Sequence, residues 1–212
     1  MSYADFSYKQ VLLFVLILIG GQKNVDSGSS AFGRSTEPVI LKYEIVRNEK
    51  VIGQMEAVKK EKGGLIEYQM ESFVNISLVM QFSIYTKVVG VFQEGQLVSG
   101  SVIRKVNDNT RVNAKIVLQK DKYLIQDDDE RSELKEKILY TSACLMHLEP
   151  VGLKRIFSEN FKKFVPVREL RPHYYELRLP DGNKNYYSYA NGTCIGAEVN
   201  TSLSKAFFRL KK

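Results

Sequence analysis

From Ile66 to Ile76 the side chains alternate. Ile66, Tyr68, Met70, Val74 and Ile76 share one face, broken only by Ser72, while Glu67, Gln69, Glu71 and Asn75 share the other. A helix would scatter these residues around its circumference, so a period of two demands a strand with one buried side. The same rhythm returns at Leu41, Tyr43 and Ile45, separated by Lys42 and Glu44. It recurs over much of the chain after residue 38, and it limits the fold to sheet with one wet and one dry face.

Turn chemistry divides this rhythm into hairpins. Asn48-Glu49-Lys50, Gly63-Gly64, Gln93-Glu94-Gly95 and Asn107-Asp108-Asn109 punctuate expected strands at 51–58, 66–76, 81–92, 96–106 and 111–119. Such residues supply positive φ or local side-chain hydrogen bonds. Gly53, inside an expected strand, marks a bend or bulge. Asp127-Asp128-Asp129-Glu130-Arg131 reads as a charged, solvated excursion.

Between residues 140 and 164 the period lengthens. Leu153, Ile156, Phe157, Phe161 and Phe164 recur at helical spacing, which predicts one or two short helices around residues 141–164, with Thr141 or Ser142 available as a cap. Pro166 and Pro172 return the chain to extended structure. Tyr174–Leu179, a Pro180-Asp181-Gly182 turn, Asn185–Ala190, an Asn191-Gly192 hairpin turn, Thr193–Val199 and Ala206–Leu210 then form a second meander. Its tyrosines, Tyr174, Tyr175, Tyr186, Tyr187 and Tyr189, make an aromatic wall. The fold class is mainly β. About ten antiparallel strands form a curved sheet, an open barrel or half-barrel, with the 141–164 helices near its mouth or concave face.

The start of the chain has a different character. Lys9 precedes an unbroken apolar run from Val11 to Ile19, followed by Gly20-Gly21 and a Ser/Gly-rich stretch at 27–30. That order reads as a secretory signal over residues 1–21; cleavage as late as residue 31 also fits. A helix of this length rises only about 14 Å against a hydrocarbon core of about 30 Å, so no stable transmembrane anchor is expected. Residues 22–37 form a flexible linker and 38–212 a single β-rich domain. The expected address is the periplasm or the cell surface.

The formal net charge of +7 invites a nucleic-acid reading. The basic residues argue against one, because they occur singly (Lys42, Arg47, Arg104, Lys115, Arg178) in the pattern of solvated strand faces. No nucleic-acid partner is expected.

Catalytic and metal-binding patterns are sparse. Cys144 and Cys194, an even count in an oxidising compartment, permit one disulfide; two separately buried thiols fit equally well. His147, three residues after Cys144, would share a helical face with it, as a Cys-His nucleophile pair requires, yet Leu145, Met146 and Leu148 around them describe core packing. Cys144, His147, His173 and Cys194 lack the close-paired spacing of a zinc site. The 127–130 acids lack the glycine and distal glutamate of a calcium loop. No phosphate loop or nucleophile elbow occurs, so neither a catalytic residue nor a cofactor is expected.

The segment 43–53 resembles one particular group when taken with Glu149-Pro150-Val151-Gly152, Phe157-Ser158-Glu159-Asn160 and the stretch 175–182 ending in Leu179-Pro180-Asp181-Gly182. This is a domain-of-unknown-function family of exported β-rich proteins found mainly in Bacteroidota. The resemblance spans about residues 40–200 and implies a periplasmic or cell-surface address and a curved antiparallel sheet, with no assigned catalytic residues. The expected function is non-catalytic: a binding protein holding a lipid or other apolar ligand in a β-shell. The rival expectation is a structural or interaction protein of the envelope, with an envelope protein as partner; a hydrolase of unknown substrate is third.

Overall fold

The computed structural model describes residues 37–77, 81–128, 130–200 and 205–211. The apolar run at 11–19, both cleavage positions and nearly all of the 22–37 linker lie outside the described residues. Among the described residues no helix is long and apolar enough to cross a membrane.

Fourteen strands are found among the described residues: β1 (Val39–Arg47), β2 (Lys50–Lys62), β3 (Leu65–Ser77), β4 (Gln81–Gln93), β5 (Gln96–Val106), β6 (Asn109–Gln119), β7 (Lys122–Asp127), β8 (Glu130–Leu134), β9 (Arg155–Ser158), β10 (Lys163–Arg171), β11 (Tyr174–Arg178), β12 (Lys184–Ala190), β13 (Thr193–Asn200) and β14 (Lys205–Leu210). They form one antiparallel sheet in the order β8-β7-β6-β5-β4-β3-β2-β1-β14-β13-β12-β11-β10-β9. The chain meanders outward from β1 to β8, crosses through residues 135–154, and meanders back until β14 pairs with β1, Tyr43 opposite Leu210. Every pairing joins strands consecutive in the chain except that of β1 with β14.

The sheet does not close by a strand ladder, since β8 and β9 are its two ends. One ion pair links β7 to the turn after β9, and two contacts hold β9 against the crossing segment. Lys162 pairs with Asp127, Arg155 with Glu136, and Thr141 forms a single parallel bridge to Phe157.

Alternation sets which residues face inward. Tyr43, Ile45, Met55, Ala57, Tyr175, Tyr187, Tyr189 and Cys194 belong to one buried cluster. Tyr68, Val88, Leu97, Val102, Ile116, Tyr123 and Ile125 belong to a second. The aromatic wall is split by the pleat: Tyr175, Tyr187 and Tyr189 are buried, whereas Tyr174 and Tyr186 stack on one another at 5.9 Å. Gly53 sits where the β1–β2 register shifts, and a Cβ there would lie 2.3 Å from the Phe73 carbonyl oxygen. The bulge expected at this glycine is present.

Three expectations are corrected. The helices around 141–164 do not form. The segment holds one 3-10 turn, Ser142–Cys144, and then strand β9. The helical spacing misleads because Ile156 and Phe157 are consecutive and both fully buried, one in each cluster. A strand covered on both faces loses its alternation and mimics other periods. The acidic run at 127–131 is not an excursion: Asp127 ends β7, Glu130 starts β8, and Asp128 turns between them at φ 49°. Arg104 is not on the solvated face, as described below.

Candidate functional site

The crossing segment between β8 and β9 enters the concave side of the sheet and fills one end. Ile138, Thr141, Ala143, Cys144, Leu145 and Met146 are all buried there. The backbone is stitched to the surrounding strands, with Leu97 N–H donating to the Ile138 carbonyl at 2.9 Å and Cys194 N–H to the Met146 carbonyl at 3.1 Å. Tyrosine hydroxyls satisfy more of it. Tyr189 donates to the Leu145 carbonyl at 2.9 Å, and Tyr123 donates to Leu97 at 2.9 Å while accepting from Ile138 N–H at 3.3 Å.

The cap of the 3-10 turn comes from across the fold. Neither Thr141 nor Ser142 caps through its own side chain. The fully buried Glu159 carboxylate accepts from Ser142 N–H at 3.1 Å, from Ala143 N–H at 3.3 Å and from the Ser142 hydroxyl. Burial raises its pKa above the usual carboxylate value, opposed by these donors. This insertion occupies the end bearing the Gly63-Gly64, Glu94-Gly95 and Asn191-Gly192 turns. The space between sheet and segment is taken up by the protein's own side chains.

The sequence-predicted chemistry is not assembled. Cys144 and Cys194 are buried free thiols, each pushed up to about 12 by burial, so neither is a ready thiolate. Cys194 Sγ is 3.3 Å from the Gly196 carbonyl, and Cys144 Sγ lies 3.9 Å from the Thr141 hydroxyl. His147 packs its ring 6.0 Å from that of Tyr68, and burial lowers its pKa to about 4. His173 is on an exposed turn, 3.0 Å from Glu149, whose other partner is the Tyr175 hydroxyl at 2.7 Å. Among the described residues no three His, Cys, Asp or Glu side chains converge as metal ligands.

The opposite end, beyond the Asn48-Glu49 and Asn107-Asp108 turns, is built differently. Cross-strand registers carry the core-facing rows outward past the inserted segment: Val74 opposite Ile84, Ile84 opposite Val106, and Ile76 opposite Phe82. These residues share their face with the buried Tyr68, Val88 and Val102 but are only partly buried themselves. Between this apolar band and the sealed core lies a more polar row. Ser72 stands opposite Thr86, and Thr86 opposite Arg104. Arg104 is two residues from the fully buried Val102, on the same face, and opposite the inward Val112. No ion pair joins it to a described residue. Arg47, which alternation from Tyr43 and Ile45 also turns inward, ends β1 nearer the rim, and its Nε is buried without a hydrogen-bond partner. Asp127, by contrast, is paired with Lys162.

Two depressions, of about 380 and 400 Å³, lie elsewhere. One is on β7–β8 around Leu124 and Arg131, the other around Val51, Phe73 and Lys211; both are open dents, and neither is under the inserted segment.

Sequence reasoning missed the inward arginine for a definite reason. Strand β5 carries Leu97, Val98, Val102, Ile103 and Val106, apolar residues of both phases, so alternation alone cannot choose its inner face. Only pairing with β4, whose Gly90, Val88 and Thr86 continue the inner row, selects it.

Comparison with protein families matches residues 43–211 to the domain of unknown function DUF6134, and the chain belongs to that family. No curated protein matches it. Among solved structures, a beta-barrel-like protein of the domain of unknown function DUF1849 from Brucella abortus is similar. It has 13% identity and a TM-score of 0.50, with 82% of this chain and 96% of that chain covered. That likeness concerns the fold alone and agrees with an open, barrel-like antiparallel sheet.

Proposed function

We propose that this member of the DUF6134 family is an exported, non-catalytic envelope protein that holds a lipid or other apolar ligand in its β-shell, at the end that the inserted segment leaves uncovered. The observation that carries this reading is the apolar band of Val74, Ile76, Phe82, Ile84 and Val106, which continues the core-facing rows without being fully covered by the core. Apolar rows of this kind on a concave sheet suit a ligand whose orientation a few polar groups fix. The two buried cysteines and two histidines support no activated nucleophile, in keeping with a non-catalytic role. Solvent extraction of protein purified from envelope fractions, followed by mass spectrometry, is the test. A stoichiometric apolar compound is expected; protein recovered from that compartment without one, and binding no acyl chain added back, contradicts the reading.

A second reading, an interaction protein of the envelope without a ligand, draws on the filled space beneath residues 138–146. A stable complex recovered from envelope extracts, formed by protein that carries no apolar compound, favours it.

A further inference from the structure

We infer that the uncovered end takes a single-chain amphiphile with a carboxylate head, and that Arg104 is the residue that receives the head. The inference rests on the apolar-ligand reading above and goes beyond it by naming the ligand's chemistry. Its first support is charge. Arg104 and Arg47 both face the concave side at this end, neither is ion-paired to a described residue, and Arg47 has a buried Nε with no partner. An inward, partly desolvated guanidinium is costly until an anion meets it. Asp127, one row deeper than Arg104 beside Ala114, is committed to Lys162.

Placement supplies the second support. Arg104 sits at the inner limit of the apolar band, beside the hydroxyl-bearing Thr86 and, one strand further, Ser72. From the level of Thr86 to that of Phe82 the strand rises about 13 Å, a length of apolar wall that suits an acyl chain running outward from the arginine. The planar guanidinium fork matches a planar carboxylate with two parallel hydrogen bonds. With one arginine at this depth, a monoanion is neutralised and a dianion is not. Arg47, nearer the rim, adds positive potential along the entry path.

The test compares three ligands with one chain and three heads, dodecanoate, 1-dodecanol and a dodecyl phosphodiester, displacing a fluorescent apolar probe from the purified protein. Dodecanoate is expected to bind about tenfold or more tightly than 1-dodecanol, the scale of a charge-assisted hydrogen-bonded pair. In Arg104→Met this ratio should fall towards one, and Arg104→Lys should restore only part of it. Equal affinity of acid and alcohol for the unaltered protein overturns the inference while leaving the apolar-ligand reading intact, and needs no variant to fold. Survival of the ratio in Arg104→Met overturns it too. So does a phosphodiester that binds more tightly than the carboxylate. If no chain of any head displaces the probe, both readings fall together.

Discussion

The Tyr189 hydroxyl donates to the carbonyl oxygen of Leu145 at 2.9 Å, across 44 residues of sequence. This buried bond ties the segment that fills the sheet to the β12 wall. Tyr43 of β1 likewise donates to a buried carbonyl, that of Cys194 on β13, at 2.7 Å. Burial pushes both phenols well above their ordinary pKa, so they remain donors at any physiological pH. The inserted segment lacks regular secondary structure, and its backbone groups need such partners.

Tyr189→Phe therefore leaves a buried carbonyl unpaired at almost unchanged volume. A loss of about 1–2 kcal/mol is expected. For a domain of this size it lowers the melting temperature by about 3–6 °C. Thermal unfolding followed by circular dichroism checks it.

Acid sensitivity should trace in part to His147. The unfolded chain protonates this side chain at its ordinary value of 6.5, whereas burial holds the folded one neutral down to about 4. Between those values the unfolded state binds more protons, so the contribution is full above pH 6.5 and lost as the pH falls to about 4. The difference corresponds to about 3–4 kcal/mol, which solvent around the partly exposed ring reduces to about 2–3 kcal/mol. Glu159, raised by burial, acts in the opposite sense: its share is full below the unfolded value and lost as pH rises. The prediction accordingly concerns a difference. In urea unfolding from pH 7 to pH 4, His147→Leu should lose less stability than the unaltered protein.

At Gly53 a methyl group would meet the main chain of β3, 2.3 Å from the Phe73 carbonyl oxygen and 2.9 Å from Val74 Cα. Backbone cannot step aside as a side chain does. Gly53→Ala should cost about 2–3 kcal/mol. Gly196→Ala, whose nearest contact is 3.4 Å, should stay within about 0.5 kcal/mol of the unaltered protein. Denaturant midpoints distinguish the two.

Cys144 and Cys194 are buried, unbonded and of raised pKa. A thiol reagent at pH 8 should find neither in the native protein, and both after unfolding in guanidinium. Loss of both thiols on unfolding without reductant would show that they pair in the protein as isolated.

The β meander was legible where one face is dry and the other wet. The segment 66–76 alternates cleanly and is a strand, and Gly53 announced its bulge. Legibility failed where that contrast disappears. Ile156 and Phe157 are buried on opposite faces of β9, so no alternation survives. Charged side chains over 127–131 hid a short hairpin whose strands are edge and near-edge, places where charge is common. The candidate site was hidden for a related reason. Arg104 looks like any isolated surface cation until β4 and β6 fix the phase of β5, and that is a property of pairing between strands.

The central claim is that an apolar ligand lies against the inner face of β3, β4 and β5, away from the inserted segment. A dodecanoyl chain carrying a terminal diazirine, photolysed in complex with the protein and mapped by peptide mass spectrometry, tests it most directly. Label on Val74, Ile76, Phe82, Ile84 or Val106 is the expected result. Label confined to the outer face, or to the β7–β8 depression, would contradict the account.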